Sequence, residues 1–361
     1  MDRLGLVGLP NSGKSSLFNA LTGGEGVVAA HPFSTTETTL GVAQVPDERL
    51  AALAAMSQSR KIVPATFEVV DIAGVRARGD DREGLGGRFL AGAREVDALL
   101  FVLRGFSDAA VPGEGDPAGA LRELELELVL SDVVTLENQL AKKRKPLSTA
   151  DEPLKAALAV APQALEVLEE GTPLYRSSLR GDDKQALAPL FLLSNKAVLA
   201  VVNIGEDDLG EEQAALAQVR GELGELDSLD VLAMSVKLEA EASRLEPAGR
   251  AELLEGLGLG EGALVRVARA AYGILGRDTF LTTGDKESRA WTFRRGARAP
   301  ECAGVIHSDL ERGFIKADVI FWSDLVELGS FASARARGKV RLEGKDYVVK
   351  DGDVLEIRFN V

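Results

Sequence analysis

The chain opens with a short apolar run, Leu4-Gly5-Leu6-Val7, whose pattern predicts a buried strand, and continues into Ser16-Leu17-Phe18-Asn19-Ala20-Leu21, which has helical spacing. Apolar residues return from Thr66 to Val70 ahead of Asp71, again over 197–202, and again over 229–232. Each of these runs predicts a further strand. Between Asp71 and Asn203 there is far more chain than one crossover needs, and its middle repeats at three and four. Leu121, Leu124, Leu128, Val129, Val133, Leu136 and Leu140 form one series, and Leu154, Leu158, Ala161, Leu165 and Leu168 form a second. They predict two antiparallel helices, a hairpin whose second arm should kink at Pro162. From about Asp278 the pattern changes to short alternating segments with glycine turns, at 290–293, 318–321, 346–349 and 355–359, with one helix among them. A small α+β domain is expected there.

Composition narrows the classes. A chain of 361 residues implies two or three domains. With 45% hydrophobic but only 5% aromatic residues, Ala, Leu and Val must do most of the packing. No apolar run reaches the ~18 to 20 residues that cross a bilayer, so a soluble, unprocessed chain with no membrane partner is expected. The single cysteine, Cys302, excludes an intrachain disulfide and a cysteine-based metal cluster and fits a reducing compartment, hence a cytoplasmic location. Cys302 itself reads as a small packed residue. The formal charge of −14 is opposite in sign to that of a protein binding nucleic acid over its whole surface, so any polyanion contact must be local.

The strongest chemical signal is Gly8-Leu9-Pro10-Asn11-Ser12-Gly13-Lys14-Ser15, G-x4-G-K-S between a predicted strand and a predicted helix. Glycines let backbone N–H groups of Asn11, Ser12, Gly13, Lys14, Ser15 and Ser16 turn inward around phosphate oxygens, and the helix N-terminus adds its positive end. Lys14 is expected on the β- and γ-phosphates and Ser15 on Mg²⁺. Asp71, at the end of its strand, is expected to order the metal shell, and the Gly74 amide is free to meet a γ-phosphate. Thr35, within Pro32-Phe33-Ser34-Thr35-Thr36-Glu37, reads as a switch threonine that joins the metal when the γ-phosphate is present. The expected catalytic set is therefore Lys14, Thr35 and Gly74, and the metal set Ser15, Thr35 and Asp71.

For the base, Asn195-Lys196-Ala197-Val198 is a decoy: it lacks the acid of a guanine-reading Asn-Lys-x-Asp and precedes its strand. Asn203-Ile204-Gly205-Glu206 stands at the correct end, with Ser235 and Val236 after the next strand. Glutamate in place of aspartate weakens two-point recognition of guanine, and adenine carries a ring acceptor where guanine carries a donor, so ATP becomes credible beside GTP. Val75 occupies the place of a water-orienting glutamine, which predicts slow intrinsic turnover. Asn11 either helps hold a K⁺ ion near the phosphates or only fixes its loop by side-chain to backbone bonds. Of the two histidines, His31 flanks the switch, and His307 reads as structural.

Taken together, these residues resemble the YchF or Obg-like ATPases, a branch of the Obg-related P-loop proteins. The resemblance covers nearly the whole chain and includes Glu83-Gly84-Leu85-Gly86, 235–241, 290–292, 306–315 and 343–353. It implies an α/β P-loop NTPase with a Ras-like G domain, an inserted helical hairpin and a C-terminal ubiquitin-like (β-grasp, TGS) α+β domain. The expected boundaries are 1–107 with 196–277, 108–195 and 278–361. It also implies an ATP-preferring hydrolase that associates with ribosomes; a GTPase of the Obg type and a nucleotide-gated ribosome binder with negligible hydrolysis stay open as alternatives. Thr36, Thr38-Thr39 and Ser16 depart from the family pattern. Two basic groups could meet ribosomal RNA: Lys142-Lys143-Arg144-Lys145 at the hairpin turn, which also reads as a solvated helix end, and Arg294, Arg295, Arg298, Arg335, Arg337, Lys339 and Arg341 in the C-terminal domain, which also read as ordinary exposed charges. That domain carries fourteen basic and fourteen acidic residues, hence none of the net charge. A monomer is expected.

Overall fold

The computed structural model describes residues 2–24, 27–29, 38–72, 87–108, 113–142, 152–223 and 230–360. In chain order the elements are β1 (Arg3–Val7), α1 (Lys14–Thr22), β2 (Val27–Ala29), β3 (Thr38–Val45), α2 (Glu48–Ser57), β4 (Ile62–Val63), β5 (Ala65–Asp71), α3 (Gly87–Arg94) and β6 (Ala98–Arg104). There follow α4 (Pro117–Lys142), α5 (Glu152–Glu169), α6 (Gly181–Ala186), β7 (Ala197–Asn203), α7 (Glu212–Leu223), β8 (Asp230–Met234), α8 (Val236–Ala242), α9 (Pro247–Gly256) and α10 (Ala263–Ile274). The remainder comprises β9 (Arg277–Thr282), β10 (Ser288–Arg294), α11 (Ala299–Ile306), α12 (Ser308–Arg312), β11 (Phe314–Phe321), α13 (Trp322–Leu328), α14 (Phe331–Ala336), β12 (Arg341–Glu343) and β13 (Asp353–Phe359). Two compact units result, 1–43 with 68–275, and 44–67 with 276–361.

The first unit is built on a seven-stranded sheet in the order β2-β3-β5-β1-β6-β7-β8. The pairs β1–β5, β1–β6, β6–β7 and β7–β8 are parallel, and the β2–β3 pair is antiparallel. Strands buried on both faces must be apolar throughout, as Ala98-Leu99-Leu100-Phe101-Val102-Leu103 is. Leu99, Leu100, Phe101 and Leu103 are wholly buried, each worth roughly 1.5–3 kcal/mol of transfer free energy. Because the central strands run the same way, the C-terminal ends of β1, β5, β7 and β8 share one edge, where ligands of open parallel sheets bind.

The predicted hairpin is present as α4 and α5, and α5 runs as one helix through Pro162. The series on α4 divides between two partners. Leu121, Leu124 and Leu128 join the core of the sheet, whereas Val129 and Leu136 pack with Ala157, Ala161, Ala164 and Leu168. Two buried carboxylates on α4 hold the chain that returns toward β7. Glu125 accepts from Tyr175 Oη at 2.5 Å and from Arg176 at 2.8 Å, and Asp132 accepts from Leu193 N, Ser194 N and Ser194 Oγ at 2.6–2.9 Å. A buried carboxylate needs such partners, because an unpaired one costs far more than its hydrogen bonds return.

The second unit is α+β, a six-stranded sheet in the order β12-β11-β13-β9-β10-β4. It differs from expectation in three ways. Four helices, α11 to α14, accompany the C-terminal strands where one was expected. The 346–349 segment makes only an isolated bridge, Val348 with Arg298. Residues 44–67, expected in the nucleotide domain, contribute α2 and β4 here: Ile62 pairs with Ser288, and a cluster of the hydroxyls of Ser57, Ser59, Thr283 and Ser288 is closed at 2.7–2.8 Å. Arg49 also bridges Asp47 and Asp351, at 2.8 and 2.6 Å. No helix among the described residues is long and apolar enough to cross a membrane.

Candidate nucleotide-binding site

The loop from Gly8 to Gly13 connects β1 to α1, and its glycines are sterically required. Gly13 stands at φ +92°, and a Cβ there would lie 2.3 Å from Asn203 Nδ2. A Cβ on Gly8 would lie 2.4 Å from Ser12 Oγ and 2.8 Å from Val102 O. Asn11 also sits in the left-handed region, at φ +62°, one of the few non-glycine types that tolerate it. Ser12 Oγ is buried without a hydrogen-bond partner.

Lys14 Nζ donates to the Asp71 carboxylate and to Ile72 O, the latter at 2.7 Å, and Ser15 Oγ donates to Asp71 Oδ2 at 3.1 Å. The local chemistry is thus a hydroxyl and a carboxylate converging beside an ammonium. Those oxygen donors suit magnesium, which takes one or two protein oxygens and keeps the rest of its shell for water and phosphate. The expected roles of Thr35 and Gly74, with His31, Val75, Glu83 to Gly86 and residues 143–145 of the basic run, lie outside the described residues.

On the base side, Asn203 ends β7 and is nearly buried. Its Nδ2 donates to Ser12 O at 3.0 Å, and its Oδ1 accepts from Val236 N at 3.0 Å, so one side chain ties the phosphate loop to the start of α8. Ile204 N donates to Met234 O at 3.0 Å, which holds the two base-side loops together. An open cavity of about 760 Å³ brings Asn11, Gly13 and Ser16 together with Asn203, Ile204 and Glu206, and with Ser235 and Val236. Sequence reasoning missed Phe106, Ser107 and Asp108, which follow β6 and line the same cavity, and Arg244, which lines it with Lys237. The available signal was the apolar run at 98–103, a parallel strand whose C-terminal end must open on this edge. Lys237 Nζ meets Glu206 Oε1 at 2.9 Å; the hydrogen bond and charge of Glu206 hold its ammonium pKa above the ordinary lysine value. Asn195 and Lys196 stand at the opposite end of β7. Asn195 Nδ2 donates to Lys184 O at 2.8 Å, and Lys196 Nζ donates to Arg94 O at 3.3 Å and to Val96 O, with burial pushing its pKa down.

In the second unit, several basic side chains read as a possible RNA face are neutralised. Arg295 pairs with Asp278, Arg298 with Asp346, Arg335 with Asp318 and Glu356, and Arg341 with Asp353. Arg294, Arg337 and Lys339 are exposed. His307 caps α12, its Nδ1 accepting from Asp309 N at 3.2 Å.

A parallel sheet with a glycine loop at its edge, a lysine, serine and aspartate beside that loop, and an asparagine joining the loop to a cavity define a P-loop nucleotide-binding protein of the G-domain class. Residues 3–148 match a family described as 50S ribosome-binding GTPase, and residues 278–360 match the YchF-GTPase_C family, described as a protein of unknown function. The ribosome-binding ATPase YchF of Bacillus subtilis (strain 168) is 40% identical over 362 residues, 99% of each chain, and that of Escherichia coli O157:H7 is 40% identical over the same share. The solved structure of the Schizosaccharomyces pombe YchF GTPase matches with a TM-score of 0.85 at 30% identity, covering 99% of this chain and 97% of that one. The chain belongs to the YchF family.

Proposed function

We propose that the chain is a magnesium-dependent, ATP-preferring nucleotide hydrolase that works as a switch on the ribosome in the cytoplasm, as a monomer. The observation that carries this reading is Asn203, whose side chain joins phosphate loop and base cavity into one site. Full-length relatives at 40% identity that are called ribosome-binding ATPases support the choice of nucleotide and partner.

Lys14 reaches the β- and γ-phosphates by exchanging Asp71 and Ile72 O for phosphate oxygens. Ser15 and Asp71, with Thr35, hold the magnesium, and the Gly74 amide donates to the γ-phosphate. A magnesium ion held there would supply positive charge to the phosphate oxygens. Asn11, Ser12, Gly13 and Ser16 offer backbone N–H groups to the same phosphates. At the base, the carboxylate of Glu206 is already engaged by Lys237, which competes with the two donors that guanine presents. Phe106 contributes an aromatic ring to the wall. Val75 leaves the attacking water without a glutamine, so turnover is slow, and a K⁺ ion at Asn11 would supply charge there; equal rates in Na⁺ and K⁺ buffers would remove it. The hairpin and C-terminal TGS-like domain make the ribosomal contact.

A GTP-binding reading has one observation in its favour, that both the matched N-terminal family and the solved S. pombe relative are called GTPases. Competition of ATP and GTP with Mg²⁺ at equilibrium decides between them. The wild-type chain should bind ATP more tightly, and Glu206→Asp, which restores the shorter carboxylate, should raise GTP relative to ATP by about tenfold. A wild-type preference for GTP would overturn the assignment.

A further inference from the structure

The wall of the base cavity nearest Val236 is α8, seven residues long. So short a helix has little stability of its own and takes its position from what it packs on. Its first N–H is held by Asn203 Oδ1, and Val236 and Ala242 are buried beneath it. The third tether is unusual. Glu239 lies on α8 but does not line the cavity; it is 2% exposed, and its Oε1 accepts from Ala263 N, the first residue of α10. A carboxylate at that place meets the free N–H groups and positive end of a twelve-residue helix.

The arrangement is costly, which implies that it does something. Glu239 Oε2 is buried without a hydrogen bond, and so is Nη2 of Arg250, the nearest cation, at 3.9 Å. A buried carboxylate satisfied on one oxygen only is a poor way to fill space. Gly262 stands at φ +90°, and a Cβ there would lie 3.1 Å from both carboxylate oxygens, so the approach to Ala263 depends on a glycine. The helix α10 is itself packed on β7, β8 and α1, and so is fixed to the sheet.

We infer that Glu239 is a positioning residue for base binding, setting α8 against α10 and thereby placing Val236 N and the wall that carries Lys237 and Arg244. This rests on the nucleotide reading of the cavity. Glu239 does not line the cavity and makes no hydrogen bond to the phosphate loop; it bears on that loop indirectly, through Val236 N and Asn203.

The test is titration of the full chain with ATP and, separately, with inorganic tripolyphosphate, which uses the phosphate loop alone. Glu239→Ala should weaken ATP about tenfold and leave tripolyphosphate within about twofold. Glu239→Asp keeps the charge but falls short of Ala263 N, so it should show the same split and serves if the alanine variant does not fold. Glu239→Gln, whose amide oxygen still accepts from Ala263 N, should stay within about threefold of wild type. Parallel loss of both ligands, or unchanged ATP affinity in both the Ala and Asp variants, overturns the inference. A wild-type chain that binds ATP no better than tripolyphosphate overturns the nucleotide reading, and the inference with it.

Discussion

Replacing Asn203 by alanine removes one side chain that performs two tasks, and the cost can be worked from its contacts. Two buried hydrogen bonds of 3.0 Å are lost, to Ser12 O and from Val236 N. At about 1 kcal/mol net each, plus part of the ~1–3 kcal/mol penalty for a stranded buried partner, the loss is roughly 2–4 kcal/mol. The upper end applies only if water cannot reach the gap; the open cavity alongside keeps the figure below the full sum. ATP needs both loops in register, so binding must repay that energy, and the dissociation constant should rise by roughly 30- to 700-fold. Asn203→Asp supplies the control. Its carboxylate still accepts from Val236 N but sets a second acceptor against Ser12 O in place of the donor, so it should bind ATP no better than the alanine variant. Calorimetric titration of ATP and ADP into the three chains checks the order, with thermal unfolding alongside to register the same loss as a lower midpoint. Wild-type affinity within about threefold for Asn203→Ala would refute the reasoning, because a tether worth a kilocalorie or more cannot be removed silently.

Three further outcomes are expected. Lys14→Ala should abolish ATP turnover in a phosphate-release assay, and a normal rate would dismiss the phosphate site. Cys302 is wholly buried, and burial first, then the charges of Glu301 and Asp353, push its thiol pKa up to about 12; the folded chain should therefore resist a thiol-specific reagent at pH 8 and react once unfolded. At Asp318, burial pushes the carboxyl pKa up but Arg358 and Arg335 outweigh it and hold it below the ordinary value. A depressed folded pKa contributes stability that is present above the unfolded pKa of about 3.9 and is lost as pH falls through the folded one. Asp318→Asn should therefore lower the thermal midpoint at neutral pH, with the gap to wild type closing as pH falls below about 4; a gap independent of pH would show that the ion pairs are not its source.

Much of the site was legible because phosphate chemistry constrains neighbours in sequence. Gly8 to Ser15 must lie between a strand and a helix, and the structure supplies β1 and α1 on either side. Asn203 could be placed by the direction of its strand, since only the C-terminal end of β7 opens on the ligand edge, and the same argument dismissed Asn195 and Lys196. Phe106 was missed although it lies just beyond the apolar strand β6, because no motif marks the residues that follow it. The pairing of Glu206 with Lys237, thirty-one positions apart, was not legible at all, for it depends on two loops meeting.

The division of the chain shows the same limit at larger scale. Periodicity located α4 and α5, yet could not tell that Leu121, Leu124 and Leu128 face the sheet while Val129 and Leu136 face α5, since both sets satisfy the same helical repeat. Residues 44–67 run from the end of β3 into the start of β5, so chain order alone assigns them to the nucleotide domain; the pairing of Ile62 with Ser288 and the bond from Arg49 to Asp351 assign them to the other unit. By itself the sequence determined the phosphate loop, the strand ends and the hairpin, because local spacing dictates backbone form and a glycine loop has one efficient use. Only the tertiary structure decided which charges neutralise one another, as Arg335 and Asp318 do, and which segment completes which sheet, because those outcomes are set by contacts between residues far apart in the chain.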